Sequence, residues 1–552
     1  MADLRETRRE QMFPTLTPAQ IGRLEAYGKR VRIHAGEVLA EPGERRGRIL
    51  VVLSGAIEIV LPGMRGETLI TVHTQGGFAG EMSVLRGAGG AVRARVREDG
   101  EVIAIDHADL RRLVQTDAEL SELFMRAFIL RRMGLIEARQ GDVVLIGSSH
   151  SADTLRLRQF LGRNGFPYVS MDVDHDPDVA ALLERFNVSI DEVPVVLCRG
   201  EVVLKNPSNG ELADCLRMNP EIDDATVRDL IVIGAGPAGL AAAVYGASEG
   251  LDVLVLETTA PGGQAGTSSK IENYLGFPTG ISGQALAGRA LVQAQKFGAD
   301  VSVAGTVVRL LCHRRPYRIE LAGGRVVHAR TIVVATGAEY RPLAIANLSQ
   351  FVGAGVYYAA TYLEAQICKG EEVVVVGGGN SAGQAAVFLA SNCQRVHLLV
   401  RSSGLAASMS RYLIRRIEQS PNITLRPFTE INALEGNGRL ERVTWRTQGQ
   451  HEAETYDVEH VFLMTGAVPN AKWLEGWVAL DERGFVRTGS DLSAEDLGAT
   501  RWPLARAPYL LETSRPGIFA VGDVRAGSIK RVAAAVGEGS AAVQFVHRAL
   551  QE

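Results

Sequence analysis

Hydrophobic positions are spaced in three different ways along the chain, and each spacing predicts a different kind of structure. Up to about residue 138, short apolar runs are separated by glycines, which predicts a small antiparallel barrel or roll. Between about residues 139 and 222, apolar strands alternate with helices, which predicts a small α/β sandwich. From residue 226 onward, continuous apolar runs end in glycine-rich turns, the pattern of parallel strands that bind a nucleotide.

The first region begins with a predicted helix over 17–26, where Thr17 is a suitable cap and Pro18 suits the first helical position. The apolar runs predict strands over 31–33, 48–53, 57–61 and 68–73. A glycine-rich segment follows from residue 78, and a helix is predicted over 109–132.

This order of helix, roll, glycine-rich segment and helix resembles the cyclic-nucleotide-binding domain. In that family the glutamate at the position of Glu81, next to Gly80, holds the sugar hydroxyl, and a later arginine pairs with the cyclic phosphate. Here residues 89–91 read Gly-Gly-Ala without that arginine, and Arg93 and Arg95 are the candidates to replace it. Because an arginine fork on phosphate is a strong contact, two interpretations stay open: a cyclic-nucleotide site, or a roll kept as a docking domain.

The second region predicts four strands and three helices. The strands are 142–146, 168–173, 193–197 and 201–204, and the helices are 154–163, 178–185 and 211–218. This pattern resembles the glutaredoxin/thioredoxin fold, including Pro194, which that family holds in cis. The redox pair of the family falls on Ser151 and Thr154, and hydroxyls cannot form a disulfide. We therefore predict that Ser151 is a helix cap rather than a nucleophile and that Cys198 and Cys215 are buried fillers. The domain is predicted to be a redox-silent relay or docking element.

Residues 229–240 read DLIVIGAGPAGL, a β-branched apolar run followed by the spacing Gly-x-Gly-x-x-Gly. Gly234, Gly236 and Gly239 allow the backbone to approach a pyrophosphate, and the N-terminus of the next helix favours its charge. Glu257 ends the following apolar run, where a carboxylate binds a ribose hydroxyl. A membrane span over 230–248 is the alternative, and its many glycines and the lack of interfacial aromatic anchors disfavour it.

Three later segments suit the same dinucleotide. Residues 261–266 read PGGQAG, and Gln264 and Asn273 offer amide groups beside glycines that permit close approach to a flat ring. Residues 331–337 read TIVVATG, a strand that ends in small polar residues. Asp523 follows the apolar strand of GIFAVGDV and can bind a ribityl hydroxyl, and the helix that opens at 531–533 can stabilise negative charge on a flavin.

A second nucleotide signature lies at 372–383, which reads EVVVVGGGNSAG. The next strand, 397–401, ends in Arg401 rather than in an acid, which favours a 2′-phosphate and hence NADPH over NADH. Ser402, Ser403 and Arg411 are candidates for further contacts, and the alternative for Arg401 is a surface residue at the end of a strand.

Two dinucleotide folds, one inserted in the other, together with the late Gly-Asp motif resemble the low-molecular-weight thioredoxin reductase family over 226–552. The resemblance implies FAD, NADPH and a homodimer. The residues implied for FAD are Gly234, Gly236, Pro237, Ala238, Gly239, Glu257, Gly263, Gln264, Asn273, Ala335, Thr336, Gly337, Asp523, Arg531, Val532 and Ala533. Those implied for NADPH are Gly377, Gly379, Asn380, Ser381, Ala382, Arg401 and Ser402.

The family carries a catalytic CxxC just before the second signature, and this chain has none. Ala359 and Tyr362 occupy the positions of the thiols, and no CxxC occurs anywhere in the sequence. Cys368 follows without a second cysteine close to it in the sequence. Tyr358 and Tyr362 are expected near the flavin face, where they either gate or stack on the ring or simply pack in the core.

The composition disfavours several classes of protein, including nucleic-acid-binding and secreted proteins. The chain has 552 residues, 46% of them hydrophobic, and a net charge of −4, so no basic field indicates nucleic acid. The charged N-terminus has no apolar segment typical of a secretory signal. Five scattered cysteines indicate neither a disulfide framework nor a metal site and suit a cytoplasmic protein.

The predicted architecture is multidomain. It has a cyclic-nucleotide-binding-like β-roll over 1–138, a glutaredoxin/thioredoxin-like α/β domain over 139–222, and two nested Rossmann-like units. The FAD unit is split between 226–342 and 468–552, and the NADPH unit is 343–467. The whole order resembles fusions of a cyclic-nucleotide-binding domain with a thioredoxin reductase-like flavoprotein.

The predicted function is an FAD-dependent NADPH oxidoreductase that reduces a small molecule or redox protein without its own CxxC. The alternatives are a thioredoxin-disulfide reductase that uses the thiols of a partner, and a cyclic-nucleotide-regulated flavoprotein sensor with little turnover.

Overall fold

The computed structural model describes residues 9–42, 44, 47–63, 66–80, 92–137, 143–176, 179–198, 202–450 and 452–552. The N-terminal part is an antiparallel roll of six strands with helices before and after it. Its strands are Lys29–Ile33, Val38–Ala40, Ile49–Gly63, Gly66–His73, Phe78–Ala79 and Arg93–Ile105. Its helices are Arg9–Met12, Pro18–Leu24, His107–Thr116 and Ala118–Glu137.

Three sequence predictions for this roll were wrong in detail. The strands predicted at 48–53 and 57–61 are one strand, because Gly55, at φ +77, forms a bulge instead of a turn. The helix predicted over 109–132 is two helices, because Asp117 is extended and its carboxylate accepts the amide of Leu120. The strand Arg93–Ile105 was missed, since its polar middle interrupts the apolar alternation.

The middle region is a four-stranded sheet with helices against it, as the alternating pattern predicts. The strand order is Val202–Lys205, Val195–Cys198, Val143–Gly147 and Val169–Asp172, and only the last two are parallel. The helices are Ala152–Arg163, Val179–Arg185 and Asn209–Cys215, with a 3₁₀ turn at Ile190–Glu192. The Val193–Pro194 peptide bond is cis.

The third region is built on a seven-stranded sheet whose centre is parallel. The order is Asp300–Val303, Val253–Glu257, Val227–Ile233, Val326–Val334, Tyr317–Leu321 and Val307–Leu311, with Ile518–Ala520 also pairing with Val326–Val334. Its long helices are Pro237–Ser248, Gly283–Phe297 and Val532–Leu550. Short helical segments lie at Ala265–Thr267, Lys472–Leu474, Gly489–Asp491, Ala494–Ala499 and Gly522–Val524.

A second parallel sheet is inserted into this region. Its order is Val356–Tyr357, Val461–Leu463, Glu372–Val376, Arg395–Leu399 and Ile423–Arg426, and a three-stranded sheet lies beside it at Thr429–Glu435, Arg442–Thr447 and Glu454–Tyr456. Its helices are Leu348–Phe351, Tyr362–Ile367, Asn380–Ala390 and Arg411–Gln419. The chain enters and leaves the insert through the antiparallel pair Ala338–Tyr340 and Ala467–Pro469.

The helix Ala152–Arg163, called here the bridging helix, contacts both nucleotide units. Its Leu155 is buried in the core of the inserted sheet, and Gln159 donates to the Glu364 carboxylate at 2.7 Å. At its other end, the Arg163 guanidinium donates to the carbonyl of Gly263 in the first unit at 3.0 Å. In the ranges that the structure describes, no helix is both long and apolar enough to cross a membrane.

Candidate functional site: two nucleotide turns

Three strands of the large sheet end side by side at its carboxyl edge. Ile233 pairs with Val334, and Val334 pairs with Ala520, so the segments that follow these residues lie next to each other. These segments contain the first glycine turn, the Ala-Thr-Gly sequence at 335–337 and the Gly-Asp motif at 522–523. Although about 290 residues separate the first from the last, the topology brings the predicted FAD motifs to the edge where α/β sheets bind ligands.

Two glycines of the first turn are required by the packing of the protein itself. Gly234 has φ +102, and a Cβ there would lie 2.4 Å from the carbonyl oxygen of Ala335. A Cβ on Gly239 would lie 1.9 Å from the carbonyl oxygen of Gly234. These two positions close the turn on itself and against the neighbouring strand.

Gly236 differs, because space is open beside it. A Cβ there would meet only the Cα of Gly263, at 3.9 Å. Gly236 begins the helix Pro237–Ser248, and no side chain caps the amides of its first turn. The helices Ala152–Arg163 and Gly283–Phe297, by contrast, are each capped by a serine hydroxyl. An uncapped helix start beside open space fits a phosphate group.

Glu257 holds the first turn together. One carboxylate oxygen accepts the amide of Ala235 at 2.8 Å, and the other accepts the amides of Thr259 and Ala260 at 2.9 and 3.2 Å. The amide of Gly262 in turn donates to the Ala235 carbonyl at 2.7 Å. The predicted ribose-binding carboxylate therefore also organises the loop around the first turn, while its oxygens keep acceptor capacity for a hydroxyl.

Asp523 lies in a partly buried position between the two halves of the first unit. Gly522 packs against the first helix, where a Cβ would lie 2.9 Å from that of Ala238. The Glu538 carboxylate accepts the amide of Gly522 at 2.7 Å. Burial raises the pKa of Asp523, Lys530 opposes the rise, and Glu538 adds to it.

The remaining predicted FAD residues surround this edge. Thr336 donates to the carbonyl of Asn470 at 2.7 Å, which ties the strand end to the chain leaving the insert. Arg531 caps the helix Val532–Leu550 without a side-chain hydrogen bond, so this helix also begins with free amides. The side chains of Gln264, Asn273, Arg531 and Ala533 are exposed.

The second glycine turn repeats this arrangement in the insert. Gly377 has φ +142, and a Cβ there would lie 2.3 Å from the Met464 carbonyl oxygen. Gly379 caps the helix Asn380–Ala390 with no side-chain hydrogen bond, and a Cβ there would meet nothing within 4 Å. Asn380 accepts the amide of Ser410 at 2.7 Å, which fixes the loop beside the turn.

Arg401 reaches into solvent next to this turn. Its side chain is 85% exposed, and its nearest acid, Glu430, lies 3.9 Å away. The neighbouring Ser402 hydroxyl donates to the Gly404 carbonyl at 2.8 Å, and Ser403 and Arg411 are exposed. A guanidinium held weakly by one distant carboxylate is available for an anionic group.

Tyr340 lies between the two units, and the sequence analysis missed it. Burial raises the pKa of Tyr340. A hydrogen bond with Ser381 of the second turn lowers this pKa, and the charge of Asp523 in the first unit raises it. No motif contains Tyr340, since it is placed by the strand pair that connects the insert to the large sheet. Arg163, Gln159 and Glu364 were missed for the same reason, because their contacts cross between domains.

The segment before the second signature differs from its predicted packing. Tyr362 is 65% exposed at the start of the helix Tyr362–Ile367, so the interpretation that it packs in the core was wrong. Tyr358 is half-buried, and burial, followed by the charge of Glu339, raises its pKa. Cys368 is not isolated either, because its Sγ lies 3.5 Å from that of Cys393. The sequence could not show this pair, since 24 residues separate the two cysteines.

In the N-terminal roll, the two candidate arginines are paired with carboxylates. Ala94 and Val96 point into the roll core, so Arg93 and Arg95 point to its opposite face. There Arg93 pairs with carboxylates at 41 and 67, and Arg95 pairs with those at 58 and 67. Gly80 is described, whereas Glu81 and residues 89–91 lie outside the described residues.

In the middle domain, the Ser151 hydroxyl accepts the amide of Thr154 at 3.4 Å, which confirms the predicted helix cap. Cys198 is buried as predicted, whereas Cys215 is only half-buried because it ends the short surface helix Asn209–Cys215.

Comparison with known proteins agrees with this geometry. The family model of pyridine nucleotide-disulphide oxidoreductases matches residues 228–539, and that of the cyclic nucleotide-binding domain matches residues 30–117. The thioredoxin reductase of Bacillus subtilis is 31% identical over 331 residues, covering 60% of this chain and 97% of that protein. NADPH-dependent thioredoxin reductase 3 of Arabidopsis thaliana is 30% identical over 368 residues, covering 64% of this chain and 65% of that protein.

Comparison with solved structures also finds similarity to thioredoxin reductases. Lactococcus lactis thioredoxin reductase in its FR conformation superposes with a TM-score of 0.52 at 26% identity, covering 59% of this chain and 99% of that one. The thioredoxin reductase of T. acidophilum superposes with a TM-score of 0.51 at 27% identity, covering 58% of this chain and 98% of that one. Two nested nucleotide units of this kind define an oxidoreductase that uses a pyridine nucleotide. The chain belongs to the pyridine nucleotide-disulphide oxidoreductase family, with thioredoxin reductase-like FAD and NADPH units and an added cyclic nucleotide-binding domain.

Proposed function

We propose that this chain oxidises NADPH through FAD and reduces an external acceptor without a CxxC of its own. One observation carries the proposal: both nucleotide turns leave open space at Gly236 and Gly379, while the sequence contains no CxxC, and the resemblance assigns the positions of the thiols to Ala359 and Tyr362. Without two sulfurs, a thiol–disulfide exchange cannot pass electrons onward from this position.

The residues of the first turn fit FAD. The open space at Gly236 and the free amides of its helix suit the pyrophosphate, and Glu257 suits the ribose. Asp523 suits a ribityl hydroxyl, and the free amides at the start of Val532–Leu550 suit negative charge on the ring. When bound, FAD supplies the hydride-accepting chemistry. The protein binds it, orients it and sets the local charge.

The residues of the second turn fit NADPH. Gly379 leaves the helix start accessible to phosphate, and Arg401 is free enough to bind a 2′-phosphate. Tyr340 belongs to the strand pair that connects the two units, and its half-buried ring suits packing between the two bound nucleotides.

The acceptor surface is proposed near Tyr362. Its exposed ring begins a helix whose first turn is capped by Thr361 and Glu364, so its position is defined. A defined and exposed aromatic side chain suits the docking of a flat acceptor or of a redox protein. We also propose that the chain forms a homodimer, which sedimentation analysis would test.

An absorption spectrum tests the cofactor and the donor together. Purified protein is expected to show flavin bands that bleach on anaerobic addition of NADPH. Steady-state NADPH oxidation is then measured with a quinone, a ferredoxin-like protein, oxygen and an oxidised thioredoxin. Turnover with any of the first three, and none with thioredoxin, supports the proposal. A lack of bleaching, or turnover with thioredoxin alone, contradicts it, and the latter favours a reductase that uses the thiols of a partner.

To test the role of the missing thiols, Ala359→Cys and Tyr362→Cys are combined. The double variant is expected to gain thioredoxin reduction, because the exposed helix start favours a thiolate. Tyr362→Phe is the matched control, and it should keep the acceptor activity of the natural chain.

A second candidate function, regulation by a cyclic nucleotide, is favoured by one set of contacts. Arg131 donates to the Gly80 carbonyl at 2.7 Å, at the beginning of the predicted nucleotide segment. The next residue, Arg132, donates to the carbonyls of Gly165 and Asn164 at 2.9 and 3.1 Å, just beyond the bridging helix. That helix ends at Arg163, which donates to the carbonyl of Gly263 in the first unit. These contacts therefore form a continuous series from Gly80 to the first nucleotide unit, through which a displacement at Gly80 can be transmitted.

Calorimetry with cAMP and cGMP, followed by the NADPH oxidation rate with each nucleotide, tests this second candidate. Binding together with a several-fold change in rate supports it, and Arg132→Ala should abolish the change in rate while keeping the binding. Arg126→Ala, an exposed arginine on the same helix, is the control. Absence of binding to both nucleotides would leave the roll as a docking domain.

A further inference from the structure

Two thiols meet inside the inserted unit, away from both nucleotide turns. Cys368 ends the helix Tyr362–Ile367, and Cys393 follows the helix Asn380–Ala390. Their sulfur atoms lie 3.5 Å apart, and both residues are buried. A disulfide requires about 2 Å between the sulfurs, so a movement of roughly 1.5 Å would join them.

The surrounding backbone holds the two thiols in place. The amide of Gly370 donates to the Asn392 carbonyl at 2.9 Å, which ties together the two turns that carry the cysteines. The Cys368 thiol donates to the Glu364 carbonyl at 3.2 Å, and the Cys393 thiol donates to the Cys368 carbonyl at 3.4 Å. The pair is therefore preorganised by contacts that do not depend on the nucleotide sites.

The two thiols have different acidity. The contact between the two sulfurs and burial raise the pKa of Cys368, whereas the same contact lowers the pKa of Cys393. Cys393 is also the closer one to solvent, at 6% exposure against 0%, and exposed Ser391 and Gln394 flank it. Cys393 is thus the thiol that an oxidant reaches first.

The pair lies at the end of the inserted sheet opposite to the second glycine turn. The cysteines lie at the beginning of the strand Glu372–Val376, whereas Gly377 follows its end. Five residues of strand span about 16 Å. The pair and the second glycine turn therefore lie at opposite ends of the same strand.

We propose that Cys368 and Cys393 form a reversible disulfide that makes the inserted unit sensitive to hydroperoxides. The Cys393 thiolate attacks one oxygen of the hydroperoxide, the O–O bond breaks, and a sulfenic acid and an alcohol result. The Cys368 thiol then attacks that sulfur, loses its proton and releases water. Two thiols and one hydroperoxide thus give one disulfide, one alcohol and one water, and a dithiol reductant reverses the oxidation.

The disulfide would enclose the central part of the nucleotide-binding unit. The closed loop contains the strand Glu372–Val376, the second glycine turn and the helix Asn380–Ala390. Closing such a loop restricts the unfolded chain, so oxidation is expected to raise the unfolding temperature of the insert by roughly 5 °C or more.

Thiol counting by mass spectrometry tests the proposal without any activity measurement. The full chain is treated with hydrogen peroxide, denatured and alkylated, and five free thiols should fall to three. Dithiothreitol should restore all five, and the linked peptides should contain Cys368 and Cys393. A loss of 2 Da for the intact chain is expected before alkylation.

Single substitutions provide the controls. Cys393→Ser should keep its four thiols after peroxide, whereas Cys368→Ala should fall from four to three with a sulfenic acid at Cys393 and no disulfide. Cys312→Ser, a buried cysteine of the other sheet, should fall from four to two. Five thiols retained in the natural chain, a sulfinic acid at either cysteine, or a disulfide with another cysteine would overturn the proposal.

Discussion

The substitution Gly379→Ala distinguishes the contribution of the second turn to stability from its contribution to NADPH binding. Gly379 has φ −92 and ψ 179, a conformation that alanine adopts freely. The added methyl group meets no protein atom within 4 Å. Because glycine is a better helix N-cap than alanine, the free energy of unfolding should fall modestly, by about 1 kcal/mol.

The affinity for NADPH should decrease much more than the stability. The methyl group would occupy the open space at the helix start, where a phosphate would accept one or two backbone hydrogen bonds. Hydrogen bonds to a charged group contribute roughly 1.5–3 kcal/mol each, so the loss is on the order of 3 kcal/mol. That corresponds to an increase of about 100-fold in the dissociation constant of NADPH.

The assay is anaerobic flavin bleaching over a range of NADPH concentrations, together with urea unfolding of the same protein. Gly377→Ala is the matched control, because its methyl group would collide with the Met464 carbonyl oxygen at 2.3 Å and the residue has φ +142. That variant should lose stability as well as binding. An unchanged NADPH dependence in Gly379→Ala would refute the reasoning, and so would a large loss of stability.

Three further predictions concern single side chains. Arg401→Ala should reduce the preference for NADPH over NADH by roughly 10- to 100-fold in steady-state assays, whereas Arg395→Ala, at the other end of the same strand, should not. Arg163→Ala should weaken FAD retention by about tenfold on dialysis, through the loss of one charged hydrogen bond, and Arg156→Ala on the same helix is its control. Burial lowers the pKa of His73 to about 3, and the unfolded imidazole titrates near 6.5. Protonation therefore favours the unfolded chain, so the free energy of unfolding should fall by up to about 1.4 kcal/mol per pH unit below about pH 6.5, and His73→Gln should remove this slope.

The sequence was most informative where one element contains its own signal. The glycine turns combine an apolar strand, closely spaced glycines and a helix, so residues 229–240 and 372–383 could be recognised without tertiary information. The capped helix beginning after Thr17 and the helix after Ser151 were predicted from their hydroxyls for the same reason. Local chemistry of this kind acts within a few residues of chain.

What the sequence could not predict depends on contacts across the chain. Tyr340 carries no motif, and only the pairing of Ala338–Tyr340 with Ala467–Pro469 places it between the units. The Cys368–Cys393 pair arises because two turns at the same end of a parallel sheet are brought together. Local periodicity indicates which face of an element is buried, but it does not identify the residues that cover that face.

The bridging helix makes contacts of this kind with both nucleotide units. The Glu364 carboxylate is fully buried, and it is satisfied by Thr361 and by Gln159 of the bridging helix. Turning the insert away from the large sheet would break either the Gln159 contact or the Arg163 contact, because the same helix holds both units. Since a buried carboxylate that loses a partner is costly, the two units are not free to move independently of the middle domain. The middle domain, although it lacks redox cysteines, is therefore placed to control the relative position of the two nucleotide turns.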